Sequence, residues 1–226
     1  MNHDSQDHSR GYHVLEASRG YAWLLQSLAL LRSQGARLLL IALLLQIIVS
    51  LVQLPLLGIL IVLSVPALSA GLLEAFHRAA NGRPPGPGVL FVPLLSARHL
   101  GRFFATGGLL ILVSFLCVSI ILGSTLEVDE ALLLRLQQGD ATALEEIDPL
   151  FMTRLLMAFA VSLAIGGTLT FFSVPLVWFR DSKLGPALGR GLRALVANWK
   201  PMLVLGLALF LFALPMFLLM LLLLSL

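Results

Sequence analysis

Residues 38–73 read LLLIALLLQIIVSLVQLPLLGILIVLSVPALSAGLL, a run of 36 residues without a charged side chain. As a single helix this run would be about 54 Å long, whereas a bilayer core of about 30 Å needs roughly 20 residues. It is too long for one span and slightly short for two. Proline removes a backbone donor and disfavours helix at the residue before it. The run therefore predicts a helical hairpin that breaks around Gln53-Leu54-Pro55 and Gly58, with interfacial residues completing each helix.

Three further uncharged runs, at 103–126, 155–179 and 201–226, are each long enough for one span. With the hairpin they predict an all-α polytopic transmembrane helix bundle of about five spans, at about 36–54, 57–77, 103–124, 152–178 and 201–224. The composition agrees, because only 12% of the residues are charged and soluble domains have about 25%. Residues 13–226 are predicted to form one membrane domain, after a polar, disordered tail at 1–12.

The basic residues are distributed unevenly between the two sides of the predicted bundle. Under the five-span count, 13 of the 15 Lys and Arg residues fall on one side, before span one, between spans two and three, and between spans four and five. The other side contains only Arg135 and Arg154 of the basic residues, and it contains seven of the twelve acidic residues, which lie in an external acidic insertion at 124–149. The positive-inside rule then predicts a cytoplasmic N-terminus and an external C-terminus.

A weakly basic amphipathic stretch precedes spans one, three and five, at 20–37, 89–102 and 188–199. These stretches predict cytoplasmic helices that lie in the membrane interface. The segments Ser64-Val-Pro66 and Ser173-Val-Pro175 also match, each inside a span that returns to the cytoplasm. We interpret the pattern as a degenerate repeat of an interfacial helix plus a hairpin. The alternative is chance similarity between Leu/Val/Ala-rich segments.

Three features together resemble a known kind of protein: Gly20-x-x-Trp23 with a following basic helix, a Pro/Gly-rich cytoplasmic loop, and Gly185-Pro-Ala-Leu through Asn198-Trp199-Lys-Pro201. The chain resembles small uncharacterised bacterial inner-membrane proteins built of repeated interfacial-helix and transmembrane-hairpin units. The resemblance implies a multi-pass location in the bacterial inner membrane and no assigned chemistry. Relatives often continue with a sixth span and a polar cytoplasmic tail, so we expect this chain to lack that span or to differ at its C-terminus.

Basic residues next to the spans are candidate ligands for lipid headgroups. Each juxtamembrane cation gains about 1 kcal/mol at an anionic membrane surface. The alternative is that these residues only set the topology, and both can hold at once. The candidates are Arg19, Arg32, Arg37, Arg78, Arg98, Arg102, Arg190, Arg193 and Lys200.

Polar residues within or near the spans form a second candidate site, comprising Gln46, Ser50, Gln53, Glu74 and His77. An ionisable residue within a span is by default a functional candidate. For Glu74 the alternative is a structural ion pair with Arg78, four residues later. For the uncharged members it is packing against the bundle with hydrogen bonds across helices, as we also expect for Ser114, Ser119, Ser162, Thr168 and Thr170. Close helix approach is expected at Gly107-Gly108, and a boundary ion pair is expected between Arg180 and Asp181.

We find no HExxH, Walker A or GxSxG motif, and Cys117 is the only cysteine, so we expect no catalytic site, metal site or cofactor. The sequence predicts a non-enzymatic integral inner-membrane protein that acts as a scaffold, an accessory subunit or an organiser of lipid. The alternative is a transporter or lipid carrier with a cavity at the repeat interface. The expected partners are membrane lipids and a second copy of the chain or another membrane protein, with no nucleic acid.

Overall fold

The computed structural model describes residues 13–123, 134–135, 138 and 149–224. In these ranges the chain forms seven α-helices and no β-strand. The helices are α1 (Ser18–Ser50), α2 (Pro55–Ala80), α3 (Val92–Leu95), α4 (Ala97–Leu122), α5 (Pro149–Arg180), α6 (Leu184–Ala197) and α7 (Trp199–Leu224). Five of them, α1, α2, α4, α5 and α7, are long and apolar enough to cross a membrane. The all-α, multi-pass prediction is confirmed. The predictions for the tail at 1–12 and for most of the acidic insertion lie outside the described residues.

Helix α1 contains a break close to the predicted start of span one. Gln34 has φ −138° and ψ 24°, which is not helical, so residues 18–33 and 35–50 are two helical pieces. We call residues 18–33 the N-terminal arm. At 33 residues, α1 would be about 50 Å long if straight, well beyond the roughly 30 Å of a bilayer core. The break therefore separates the stretch predicted to lie in the interface from the predicted span.

The predicted hairpin between α1 and α2 is confirmed at the predicted residues. Helix α1 ends at Ser50, a 3-10 turn covers Leu51–Gln53, and Leu54 is extended with ψ 118°, as expected before a proline. Pro55 then starts α2, where its missing N–H costs nothing. A Cβ atom on Gly58 would lie 2.5 Å from the Val52 carbonyl oxygen. The turn is therefore tight enough to require glycine at that position.

The helices are arranged in the order α7, α1, α2, then α4 and α5, with α6 against α5. Glycines allow close crossings: a Cβ on Gly107 of α4 would lie 2.6 Å from the Leu63 backbone of α2. One end of α2 meets α5 where Trp178 bonds to Glu74, and the start of α4 meets the end of α5 where Arg102 bonds to Asp181. Contacts at these junctions bring the basic residues at 78–102 and at 180–200 to the same end of the bundle, which we call the basic end.

The buried core lies mostly at the basic end. It includes part of a segment that we predicted to lie in the membrane interface. The sequence predicts an interfacial amphipathic helix over residues 89–102. This prediction is wrong for residues 89–95. A 3-10 turn, Pro87–Phe91, and α3 fold back onto α2, so that Val89 and Leu90 are buried. A Cβ on Gly71 of α2 would overlap the Leu90 backbone. Val89 and Leu90 therefore pack into the bundle, whereas Leu95 at the end of α3 is exposed.

Asn198, between α6 and α7, holds the segment that precedes α1. The Leu15 N–H donates to Asn198 Oδ1 at 2.7 Å, and Asn198 Nδ2 donates to the His13 carbonyl at 2.9 Å. Asn198 is only 6% exposed. Next to it, Gly20 of the N-terminal arm lies directly against the backbone of Pro201. The beginnings of α1 and α7 are thus joined at the basic end.

Candidate functional site

A sharp turn after α5 creates the main polar cluster of the basic end. Helix α5 ends at Arg180, and Asp181 takes the left-handed conformation with φ 48°. Aspartate tolerates this region better than most residues. The Ser182 N–H donates to the Leu176 carbonyl at 3.1 Å, and α6 begins two residues later. The turn points the Asp181 carboxylate at α4.

Three side chains at the start of α4 surround that carboxylate. Arg102 donates from Nη1 to Oδ1 at 2.7 Å and to the Asp181 carbonyl at 3.0 Å, while Arg98 donates to Oδ2. His99 Nε2 lies 3.2 Å from Oδ1 but outside hydrogen-bond geometry, so this buried nitrogen has no hydrogen-bond partner among the residues that the structure describes. The predicted boundary pair between Arg180 and Asp181 is therefore replaced by pairs between α4 and Asp181. Arg98 and Arg102 lie on one face of α4 because they are four residues apart.

Ser182 extends the cluster to α6. Arg190 Nη2 donates to Ser182 Oγ at 3.2 Å, and Arg102 Nη1 donates to the Ser182 carbonyl at 3.3 Å. We call the resulting set the Asp181 corner; it comprises Arg98, His99, Arg102, Asp181, Ser182 and Arg190. The set contains three guanidinium groups and one carboxylate, and only Arg98 and Arg102 are paired with that carboxylate. The corner therefore carries excess positive charge and suits a negatively charged ligand.

Aromatic side chains support the corner from the bundle side. The His99 ring lies edge-on to Trp178, with ring centroids 5.2 Å apart, and 6.5 Å from Phe103. Its Nδ1 is 2.8 Å from Ser96 Oγ. Phe103 is fully buried. The His99 ring is therefore fixed between α4 and α5 by packing and one hydrogen bond.

Glu74 and Arg78 form the predicted ion pair on α2. Arg78 Nε donates to Glu74 Oε1 at 2.8 Å, and Trp178 Nε1 donates to Oε2 at 3.1 Å. His77, on the same helix, faces Phe179 with ring centroids 5.2 Å apart. The pair borders an open, mostly polar cavity of about 660 Å³. Because both carboxylate oxygens are engaged, the arrangement favours a structural role for Glu74.

Gln46, Ser50 and Gln53 do not join Glu74 and His77 in one site. All three are exposed, and Ser50 Oγ donates to the Ile47 carbonyl of its own helix at 2.7 Å. Ser50 and Gln53 lie at the hairpin, whereas Glu74 is 19 residues along α2 from Pro55, about 28 Å away along the helix axis. The expectation that these three face the bundle is wrong. The expected bond across helices is found for Ser114 and Ser162, whose hydroxyl oxygens are 2.6 Å apart. Thr168 and Thr170 instead donate to carbonyls of α5 itself, at 2.8 and 2.9 Å.

The remaining candidate lipid ligands lie on the surface of the basic end. Arg193 Nε donates to the Gly189 carbonyl at 3.1 Å, and Lys200 Nζ is 5.9 Å from the Trp199 ring centroid. All members of this group are exposed, namely Arg19, Arg32, Arg37, Arg193 and Lys200.

Sequence reasoning missed a groove between α5 and α6. It has a volume of about 280 Å³ and is lined by Phe172, Pro175, Leu176, Phe179, Arg180, Arg190 and Ala194. The sequence signal was present as aromatic residues before Asp181, at 171–179, and basic residues after it, at 183–193. The groove could not be predicted from this signal alone, because it forms only when the turn at Asp181 places α6 against α5.

Within the described ranges, no group of three or more His, Cys, Asp or Glu side chains could hold a metal ion. The resemblance to repeat-built bacterial inner-membrane proteins stays a prediction. Comparisons with protein-family models, with curated proteins and with solved structures each found no match to this chain.

Proposed function

We propose that this multi-pass membrane protein is a non-enzymatic scaffold that organises anionic lipid at the basic end of its bundle. The observation that carries the proposal is the charge of the Asp181 corner, where Arg98 and Arg102 share one carboxylate and Arg190 adds a third guanidinium group beside Ser182. A fixed cluster of guanidinium groups matches the oxygen atoms of a phosphate in geometry as well as in charge. The surrounding exposed arginines and Lys200 add to the positive potential at the same end of the bundle.

Charge placement also supports a location for the protein. Basic residues collect on the cytoplasmic side of bacterial inner-membrane proteins, and the cytoplasmic leaflet attracts them through its anionic lipids. We therefore place the basic end and the N-terminus in the cytoplasm, in a bacterial inner membrane. Amphipathic α6 fits such an interface, because Leu192 and Val196 are exposed on a helix that also carries Arg190 and Arg193.

Association with a second copy of the chain or with another membrane protein belongs to the same proposal, since a scaffold acts through its contacts. The alternative of a transporter receives no support from Gln46, Ser50 and Gln53. These were the side chains expected to line its path, and they are exposed on the outside of α1 and the hairpin.

Native mass spectrometry of the full chain, extracted in mild detergent, tests the proposal. The protein is equilibrated with equal amounts of phosphatidylglycerol, phosphatidylethanolamine and phosphatidylcholine, and the retained lipids are counted. We expect phosphatidylglycerol to be retained in clear excess, and the measured mass to report any dimer. Arg154→Gln serves as a control variant for the unmodified protein. It removes an arginine from the opposite end of the bundle and should leave the lipid ratio unchanged. Equal retention of the three lipids by the unmodified protein would contradict the proposal.

A further inference from the structure

We propose that the groove between α5 and α6 binds one anionic glycerophospholipid, with its phosphate on Arg180 and Arg190 and an acyl chain along the apolar wall. This inference deepens the proposed function and rests on it, because it assigns one site within the basic end to one class of lipid.

The groove has two chemically different parts. Its wall is apolar, formed by Phe172, Pro175, Leu176 and Phe179 of α5 and by Ala194 of α6. Both of its polar lining residues are arginines, Arg180 at the end of α5 and Arg190 on α6. An apolar channel with cations at one end has the same polarity pattern as a phospholipid.

Arg180 and Arg190 differ from several other arginines nearby because they are not paired with a carboxylate of any described residue. Arg78 is neutralised by Glu74, and Arg98 and Arg102 share Asp181. In the part of the chain that the structure describes, no carboxylate lies within ion-pair distance of Arg180 or Arg190. The groove therefore lacks an internal counter-ion, and its charge is complementary to that of a phosphate.

Arg190 is already oriented without a ligand. Its Nη2 donates to Ser182 Oγ at 3.2 Å, and its Nε lies 3.3 Å from the Pro186 carbonyl. These bonds hold the guanidinium beside the turn and leave further N–H groups for an anion, because arginine has five donors. An arginine held in place loses less side-chain entropy when it binds.

The groove is built by a close helix contact. A Cβ on Gly191 of α6 would lie 2.9 Å from Phe172 Cβ of α5. Gly191 and Ala187, one helical turn apart, are both buried against α5. The small side chains bring α6 close to α5 along this line, so the neighbouring groove keeps a defined shape.

The depth of the groove selects a lipid over a free phosphate. Arg180 is the last residue of a candidate span, which places it where phospholipid headgroups lie. Phe172 is eight residues earlier, about 12 Å deeper along the helix. A free phosphate would use only the arginines, whereas a phospholipid also covers the apolar wall. The contact with hydrocarbon adds free energy in proportion to the apolar area that is buried.

The test compares lipid retention by the full chain and two groove variants, using long-chain phosphatidylglycerol in native mass spectrometry. The first variant, Arg180→Gln with Arg190→Gln, removes the cations. We expect its dissociation constant for the lipid to rise about 30-fold, if each cation contributes about the same as at a membrane surface. The matched control, Arg83→Gln with Lys183→Gln, removes two exposed charges that neither line the groove nor belong to the candidate lipid ligands, and it should change binding several-fold less.

The second variant, Ala194→Trp, keeps every charge and fills the apolar part of the groove. It should also lose the bound lipid, and it keeps the test informative if the double arginine variant fails to fold. Inorganic phosphate at millimolar concentration should not displace the lipid, and displacement would indicate a site for free anions instead. If the unmodified protein shows no preference for phosphatidylglycerol, the proposed function itself fails. If it shows the preference and both groove variants keep it, only the assignment to this groove is overturned.

Discussion

Arg102 contacts Asp181 twice, through its carboxylate at 2.7 Å and through its backbone carbonyl at 3.0 Å. One side chain of α4 thereby holds both the charge and the backbone of the turn that ends α5. This turn sets the direction of α6, because α6 starts three residues after Asp181. The position of α6 therefore depends on a contact between residues that are 79 apart in sequence.

Replacing Asp181 with asparagine should destabilise the protein. Asparagine also tolerates a left-handed backbone, so the change removes the charge and keeps the conformation. The carboxyl group is partly exposed, which puts the expected loss between that of a surface pair and that of a buried pair, at about 1–3 kcal/mol. Thermal unfolding in detergent should show a decrease of about 2–4 °C for each kcal/mol.

Arginine variants provide the comparison for that experiment. The Arg102 side chain is 26% exposed and that of Arg98 is 69% exposed. Arg102→Gln should therefore lower the unfolding temperature more than Arg98→Gln, because water screens the exposed pair more strongly. An equal effect of the two arginines would show that the double contact of Arg102 adds nothing.

Gly107→Ala should separate α2 from α4. The new Cβ would lie 2.6 Å from the Leu63 backbone, which cannot rotate away as a side chain would. Overpacking of this kind costs about 1–3 kcal/mol. Gly108→Ala is a nearly ideal control, because the nearest atom, Leu63 Cδ2, would be 4.0 Å away. The unfolding temperature should fall for Gly107→Ala alone, and tolerance of both changes would refute the close crossing.

Asn198→Ala should release the segment that precedes α1. The Leu15 amide would lose its acceptor and the His13 carbonyl would lose one donor. A single hydrogen bond contributes about 1 kcal/mol, so amide exchange in a peptide covering residues 13–19 should become about fivefold faster. Asn81→Ala is the control, because the Asn81 side chain bonds to His77, four residues earlier at the end of its own helix. Unchanged exchange at residues 13–19 after Asn198→Ala would argue against the clamp.

The hydrogen bond between Ser114 and Ser162 should contribute modestly to stability. Both residues lie within candidate spans, and the two oxygens are 2.6 Å apart. Double-mutant cycles on such bonds in membrane proteins average about 0.6 kcal/mol. A cycle of Ser114→Ala, Ser162→Ala and the double variant, measured by unfolding in detergent, should give a coupling of this size. A coupling of zero would mean that the two hydroxyls do not bond to each other in the folded protein.

The spans and the hairpin were predictable because length, charge and proline act locally. Pro55 fixes the start of α2, and 36 uncharged residues cannot form one span. The ion pair of Glu74 with Arg78 was predictable for the same reason, since the spacing on one helix determines it.

The partners across helices could not be predicted from hydrophobicity. Lipid chains are as apolar as leucine, so a Leu or Val residue is accommodated equally well in the bundle and in the bilayer. Hydropathy therefore could not show that Val89 and Leu90 turn inward. It also could not show that Gln46 and Gln53 are exposed, or that Asp181 bonds to Arg98 and Arg102.

The neighbouring positions of α1 and α7 have a consequence for biogenesis. Leu15 and Asn198 are 183 residues apart in sequence, and a ribosome makes the chain from its N-terminus. Helix α1 therefore enters the membrane long before the helix that covers one of its sides has been translated. That side of the bundle is completed only after α7 has been inserted, so a ribosome stalled before residue 199 would leave α1 accessible to membrane chaperones.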